Sequence, residues 1–108
     1  MRAARWFLLA ALAAGAALAQ ESPSEVTDGE IAKYKKAAYA GCREPGLKRG
    51  DPEARVDAFC SCMIAQLEQS MKRPEWQQAY FYFFRNDTEQ HNKVLAPHLP
   101  NVKHCAKQ

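Results

Sequence analysis

The chain has 108 residues, of which 47% are hydrophobic, and this length is enough for one small domain. Fifteen Lys and Arg stand against twelve Asp and Glu, and two of these cations, Arg2 and Arg5, belong to the export signal described below. The remainder of the chain is therefore close to neutral. A near-neutral chain offers no basic surface for nucleic acid or anionic membranes, so we expect neither as a partner.

Residues 1–19 are typical of a secretory signal peptide. Arg2 and Arg5 form a charged start, residues 6–18 form a short apolar segment, and Ala17-Leu18-Ala19 fits a cleavage site. The apolar segment is short for a bilayer span, and no stop-transfer pattern follows it. We therefore predict an exported protein, periplasmic or secreted, that begins at residue 20 and has no stable membrane anchor.

The first helix is predicted to follow a polar, flexible lead over residues 20–26. Thr27-Asp28-Gly29-Glu30 matches a capping box, in which the threonine and the glutamate satisfy each other's backbone donors. An apolar face follows, made of Ile31, Tyr34, Ala38 and Cys42. We expect this helix to end near Arg43, because Pro45 disfavours its continuation.

The second helix, expected over residues 51–71, is central to the fold because it carries Cys60-Ser61-Cys62. Asp51 is expected to cap it, with Pro52 in the first helical position. Three- and four-residue steps then define one apolar stripe: Val56, Phe59, Cys60, Met63, Leu67 and Met71. The short connection over residues 46–50 indicates that the first two helices run antiparallel.

A third helix is predicted to begin near Pro74 and to be rich in aromatic residues. The face expected to turn into the bundle consists of Trp76, Tyr80, Phe83 and Phe84. Helical geometry then sends Phe81 and Tyr82 to the sides or outward. Residues 80–84 also have high β-propensity, but a lone strand would leave its backbone groups unpaired, so a helix is favoured.

Beyond Asn86 the pattern predicts a fourth, shorter helix through Leu95, interruptions at Pro97 and Pro100, and a terminal turn that reaches Cys105. The sequence thus predicts an all-α fold. It is a small disulfide-stapled helical bundle of three to four short helices, forming a single domain over residues 27–108.

Four cysteines in a short exported chain predict two structural disulfides. Cys60 and Cys62 lie about 200° apart around a helix that turns roughly 100° per residue, so each is expected to join another segment. We favour Cys42–Cys60 with Cys62–Cys105, since Cys60 is slightly closer to Cys42 when the first two helices are antiparallel. The swapped pairing, Cys42–Cys62 with Cys60–Cys105, is almost as acceptable.

The sequence contains no nucleophile elbow, phosphate-binding loop or dinucleotide fingerprint, and its acids form no pair suited to acid–base catalysis. We therefore predict a non-enzymatic binding protein without a cofactor, such as a periplasmic chaperone, an inhibitor or an accessory subunit. Phe81 and Tyr82 are the predicted partner-binding residues, for a second copy or another polypeptide, because adjacent exposed aromatics often mark contact sites. In the alternative, residues 94–102 fold over them.

The rival function is thiol-redox or soft-metal (copper) handling through Cys60 and Cys62. Active dithiols usually lie at a helix N-terminus, whereas Cys60 lies two turns inside its helix. Copper(I) binding requires reduced thiols, which an oxidising compartment discourages. The histidines His91, His98 and His104 lack metal-binding spacing and are expected at the surface.

Overall fold

The computed structural model describes residues 21–107, so the predicted signal peptide lies outside the described residues. This part contains four helices of eight or more residues: α1 (Asp28–Lys48), α2 (Glu53–Ser70), α3 (Arg73–Phe84) and α4 (Thr88–Leu95). A 3₁₀ turn (Pro23–Glu25) precedes α1, and a 3₁₀ turn (Ala96–His98), a short α5 (Leu99–Val102) and a 3₁₀ helix (Lys103–Lys107) follow α4. Within residues 21–107 there is no strand. The predicted all-α fold is confirmed.

The capping box at the start of α1 forms as predicted. The Glu30 backbone N–H donates to Thr27 Oγ1 over 3.2 Å, and the Thr27 backbone N–H donates to Glu30 Oε1 over 3.0 Å. These two bonds satisfy donors that every helix start leaves unpaired. The local sequence alone therefore determines where α1 begins.

The predicted end of α1 near Arg43 is wrong, because the helix continues through Pro45 to Lys48. Its last turn is held against α2. Gly46 is buried, and a Cβ there would lie 2.9 Å from Val56 Cγ2, while Arg43 Nε donates to Asp57 Oδ1 over 2.6 Å. Tertiary contact thus stabilises a turn that proline disfavours in isolation.

The connection between α1 and α2 also differs from the prediction. Asp51 does not cap α2; its Oδ2 accepts a hydrogen bond from Arg49 over 3.0 Å, and α2 begins at Glu53 after Pro52. Gly50 makes the reversal at φ 85°, a left-handed conformation that glycine adopts without steric cost.

The first two helices run antiparallel, as predicted. Arg43, late in α1, pairs with Asp57 early in α2, and Lys35, early in α1, pairs with Glu68 late in α2 over 3.4 Å. No helix within residues 21–107 has both the length and the hydrophobicity needed to cross a bilayer.

The largest buried cluster lies where α1, α2 and α3 meet and consists of Val26, Ile31, Tyr34, Leu67, Met71, Trp76, Ala79 and Phe81. The inclusion of Val26, which is 2% exposed, corrects the expectation of a flexible lead over residues 20–26. Gln77 Nε2 on α3 donates to the Val26 carbonyl over 2.9 Å and to the Ser24 carbonyl over 3.3 Å. The end of the lead is therefore part of the core.

The inward orientation expected for the aromatic residues of α3 is right for Trp76, which belongs to the core, and wrong for Phe83 and Phe84. Phe81 is only 8% exposed and Tyr82 is half-buried, whereas Phe83 and Phe84 are each 42% exposed. The lead and α1 both contact α3, so the buried arc of the helix is wide enough to include Phe81, and the Arg85 guanidinium covers its ring at 4.0 Å. Phe83 and Phe84 are the last two residues of α3, where this coverage ends.

The terminal segment contributes to the core as well. Val94, Leu95 and Val102 pack against the cluster that contains Phe81. A disulfide from Cys105 then attaches the end of the chain to α2. This arrangement corresponds to the alternative in which residues 94–102 fold back onto the bundle.

Candidate functional site

The exposed rings of Phe83 and Phe84 lie at the end of α3 beside the half-buried Tyr80. We call these three residues, with the adjoining Lys33 and His91, the aromatic surface. The ring centroids are 4.7 Å apart for Tyr80 and Phe84 and 5.0 Å apart for Phe83 and Phe84. Lys33 Nζ lies 5.0 Å from the centroid of the Phe84 ring. A cavity of about 290 Å³ adjoins the surface and is lined by Phe83, Phe84, Asn86, Thr88 and His91.

The turn between α3 and α4 shapes this surface. Asn86 adopts φ 58°, a left-handed conformation that asparagine tolerates better than most residues. Asp87 then caps α4 by accepting a hydrogen bond from the Gln90 N–H over 3.2 Å. The tight reversal places His91 beside Phe83, with ring centroids 5.5 Å apart.

Tyr34 and His91 form the floor beneath Phe83. The Tyr34 hydroxyl and His91 Nε2 are 2.7 Å apart, and the Tyr34 ring lies 5.6 Å from the Phe83 ring. Burial raises the pKa of Tyr34 to about 12, so the phenol stays protonated and can donate. Burial lowers the pKa of His91, against the opposing effect of its bond with Asn92, which favours the neutral imidazole as the acceptor. His91 is half-buried, not at the surface as expected.

The aromatic surface carries an unmatched positive charge. Lys33 has no ion-pair partner among residues 21–107, and its ammonium group lies over the ring of Phe84. The neighbouring acid, Glu30, already accepts hydrogen bonds from the Tyr80 hydroxyl, over 2.9 Å, and from the Thr27 backbone. The surface therefore combines exposed apolar area with a cation available to a partner.

The four predicted disulfide cysteines form two bonds, Cys42–Cys60 and Cys62–Cys105, which is the pairing that the sequence favoured. The Cα atoms are 5.9 Å and 5.7 Å apart. Cys60 and Cys105 are almost completely buried. Cys60 and Cys62 thus join different segments, and two such bonds fit an exported protein.

One group of soft ligands accompanies the second disulfide. The candidate ligand atoms of Cys62, His104 and Cys105 all lie within 4.8 Å of one another. Thiolate and imidazole together suit copper(I) or zinc. Two of these three ligands are joined in a disulfide, so a metal can bind them only after that bond is reduced.

A partly buried network connects Ser70, Glu75 and His98, and it places His98 in the interior, not at the surface as expected. His98 is 8% exposed, its Nδ1 lies 3.0 Å from Ser70 Oγ, and its Nε2 contacts the Glu75 carboxylate. The Lys72 backbone N–H donates to Glu75 over 3.0 Å. This bond, and then the His98 contact, lower the pKa of Glu75. No local pattern predicts a contact between residues so far apart in the chain.

The residue types of this network are those of a serine–histidine–acid triad, but their arrangement favours a structural role. Ser70 is the last residue of α2, where the negative end of the helix dipole disfavours an oxyanion. Its hydroxyl donates back to the Gln66 carbonyl over 3.1 Å. The network instead fastens the terminal segment, through His98, to the junction of α2 and α3.

Comparison of the chain with protein-family models, with curated proteins and with solved structures finds no match.

Proposed function

We propose that this is a small exported, non-enzymatic binding protein of the periplasm or the secreted space, and that it holds another polypeptide on the aromatic surface. The observation that carries the proposal is the pair Phe83 and Phe84, each 42% exposed, beside the unmatched Lys33. Adjacent exposed aromatics are unusual on a small domain and are favoured at the centres of interfaces. The proposed binding site thus lies two residues further along α3 than the predicted Phe81 and Tyr82.

The chemistry of the surface specifies the partner. The cavity of about 290 Å³ between Phe83 and His91 suits one apolar or aromatic side chain. Lys33, next to Phe84, suits a carboxylate close to that side chain. The expected ligand is a polypeptide segment with an apolar anchor flanked by an acidic residue.

Charge disfavours a second copy of the chain as the partner. A two-fold contact centred on Phe84 would bring two Lys33 ammonium groups together, and like charges at an interface oppose association. Another polypeptide can supply a further carboxylate for Lys33, whereas the acid of this surface, Glu30, already accepts hydrogen bonds from Tyr80 and Thr27.

The fold gives the surface a fixed shape before the partner arrives. The capping of α4 by Asp87 and the bond between Tyr34 and His91 position the two sides of the cavity. A preorganised site loses less conformational entropy on binding, which raises affinity. Chaperones, inhibitors and accessory subunits all use such surfaces, and the proposal covers these three roles.

The test is selection of a random peptide library, displayed on phage, against the protein. We expect enrichment of peptides that carry an apolar residue next to Asp or Glu. The double change Phe83→Ser with Phe84→Ser should abolish this enrichment while circular dichroism stays helical. Leu99→Ser is the matched control, because Leu99 is a 51% exposed apolar residue outside the aromatic surface.

Several outcomes would overturn the proposal. They are no enrichment on the parent protein, enrichment that survives the double change, or enrichment without acidic residues. A parent that is dimeric by light scattering, and monomeric after the double change, would replace the proposed partner with a second copy.

The rival function, soft-metal or thiol handling, is favoured by one observation, the Cys62, His104 and Cys105 group. A thiol titration of denatured protein, purified from the exported fraction, separates the two functions. The binding-protein proposal requires no free thiol. Two free thiols, together with copper(I) binding that is lost in His104→Ala, would support metal handling instead.

A further inference from the structure

A second concave site lies near the other end of α1, where α2 begins and Cys105 and Ala106 pack. Its volume is about 390 Å³, within the range of small-molecule sites. The lining includes the apolar residues Val56 and Phe59 and the disulfide-bonded residues Cys42 and Cys60. A disulfide and a helix–helix contact thus hold its walls in place.

The polar lining of this cavity is cationic. Arg49, Asp51 and Arg55 all line it, and Arg49 is paired with Asp51 over 3.0 Å. Arg55 has no ion-pair partner within the described part of the chain. One positive charge therefore remains unmatched beside an apolar pocket.

The position of Arg55 strengthens the preference for an anion. It lies in the first turn of α2, directly before Val56, which lines the same cavity. Its backbone N–H bonds to the Pro52 carbonyl over 3.0 Å, which fixes the base of the side chain beside the cavity. A neutral ligand would leave the guanidinium unmatched, and a cationic ligand would be repelled.

We infer that this cavity binds a small amphipathic anion. Its apolar chain or ring packs against Phe59 and the Cys42–Cys60 disulfide, and its carboxylate faces Arg55. The site is separate from the aromatic surface, so this inference goes beyond the proposed function and stands or falls independently of it.

The test uses isothermal titration calorimetry with octanoate, and with octanol and octylamine as neutral and cationic counterparts. We expect octanoate to bind once per chain and octanol and octylamine to bind far more weakly. Arg55→Gln should weaken octanoate about tenfold, which is 1.4 kcal/mol. Arg73→Gln is the matched control, since Arg73 is an exposed arginine paired with Asp28 away from the cavity.

A cavity-filling variant tests the apolar part of the site. Ala106 is exposed and lines the cavity, so Ala106→Trp should fill it and abolish octanoate binding. If that variant does not fold, Arg55→Glu tests octanoate binding instead, because Arg55 is exposed and its replacement leaves the core unchanged. Arg55→Glu should lower the affinity for octanoate more than Arg55→Gln does.

The inference is overturned if octanoate does not bind, if octanol binds as tightly as octanoate, or if Arg55→Gln and Arg55→Glu leave the affinity unchanged. It is also overturned if octanoate binding is lost in the Phe83→Ser, Phe84→Ser variant, because the ligand would then occupy the aromatic surface.

Discussion

The two ends of this bundle are held together by different means. At the end where α1 meets α2, the Cys42–Cys60 disulfide, a buried glycine contact and the Arg43–Asp57 pair join the helices. At the end where α3 meets α4, the structure relies on ring contacts, a capping aspartate and the bond between Tyr34 and His91. The first end has a covalent link, whereas the aromatic end has none within residues 21–107 and contains rings that a partner can cover.

The largest expected effect is a loss of stability, and it distinguishes the buried from the exposed aromatic residues of α3. Phe81→Ala should lower the free energy of unfolding by about 3–5 kcal/mol, because Phe81 belongs to the core. Phe83→Ala should lower it by only about 1 kcal/mol, mainly through lost contacts with Tyr34 and His91. Urea denaturation measures both values, and equal losses would contradict the assigned orientation of α3.

The two disulfides provide the next test. Removing either by paired Cys→Ser changes should cost roughly 2–5 kcal/mol. Cys62–Cys105 spans 43 residues and Cys42–Cys60 spans 18. Chain entropy therefore predicts that losing the longer link costs about 0.8 kcal/mol more. Thermal melts of the two double variants measure the difference, and the opposite order would show that native contacts outweigh loop length.

The third test concerns the helix cap at Thr27, where a smaller loss of stability is expected. Thr27→Ala removes the side-chain acceptor at the start of α1 and should cost about 1 kcal/mol. Thr27→Ser keeps the oxygen and serves as the matched control. Loss of stability in both variants would place the contribution of Thr27 outside the capping box.

The smallest effect is a pH dependence specific to the aromatic end. His91 has a lowered pKa in the folded state, so its contribution to stability is fully present above its usual value of 6.5 and is lost as the pH falls below it. His91→Gln should remove this component from a plot of melting temperature against pH. An unchanged profile between pH 7 and pH 5 would show that His91 does not titrate differently on folding.

Glu75 makes a second contribution to the pH dependence of stability, at a lower pH than that of His91. Its pKa is lowered in the folded state, so its contribution is present above the usual value of 4.5 and is lost as the pH falls through the lowered value. Glu75→Gln should flatten stability below pH 4.5 and leave the His91 component in place. A variant that instead altered the profile near pH 6 would contradict this assignment.

How much the sequence could predict also differs between the two ends. At the end where α1 meets α2, the number of cysteines and the helical periodicity predict much of the structure. Each cysteine is expected to pair with another, and each apolar face is expected to be buried. The end of α1 was missed since Pro45 signals a break locally, while the contact of Gly46 with Val56 is tertiary. The Thr27 capping box could be predicted from the sequence because both of its hydrogen-bonding residues lie within one helical turn.

At the aromatic end, periodicity alone could not decide which rings are exposed. The helix carries aromatics around much of its circumference, and burial depends on where the lead and α1 stop covering it. The contact of Gln77 with the lead joins residues 51 apart, and no local pattern encodes it. The same reason explains why the buried His98 network was missed, since Ser70 and His98 are 28 residues apart.

The affinity of a selected acidic peptide for the aromatic surface is the most direct test of the proposed binding site. Fluorescence anisotropy gives the Kd for the parent, for Lys33→Glu, and for the Phe83→Ser, Phe84→Ser variant. We predict about tenfold weaker binding for Lys33→Glu, and at least about a hundredfold loss for the double variant if each ring contributes as an interface anchor does. An unchanged Kd in the double variant would contradict the assignment of Phe83 and Phe84 as the binding residues.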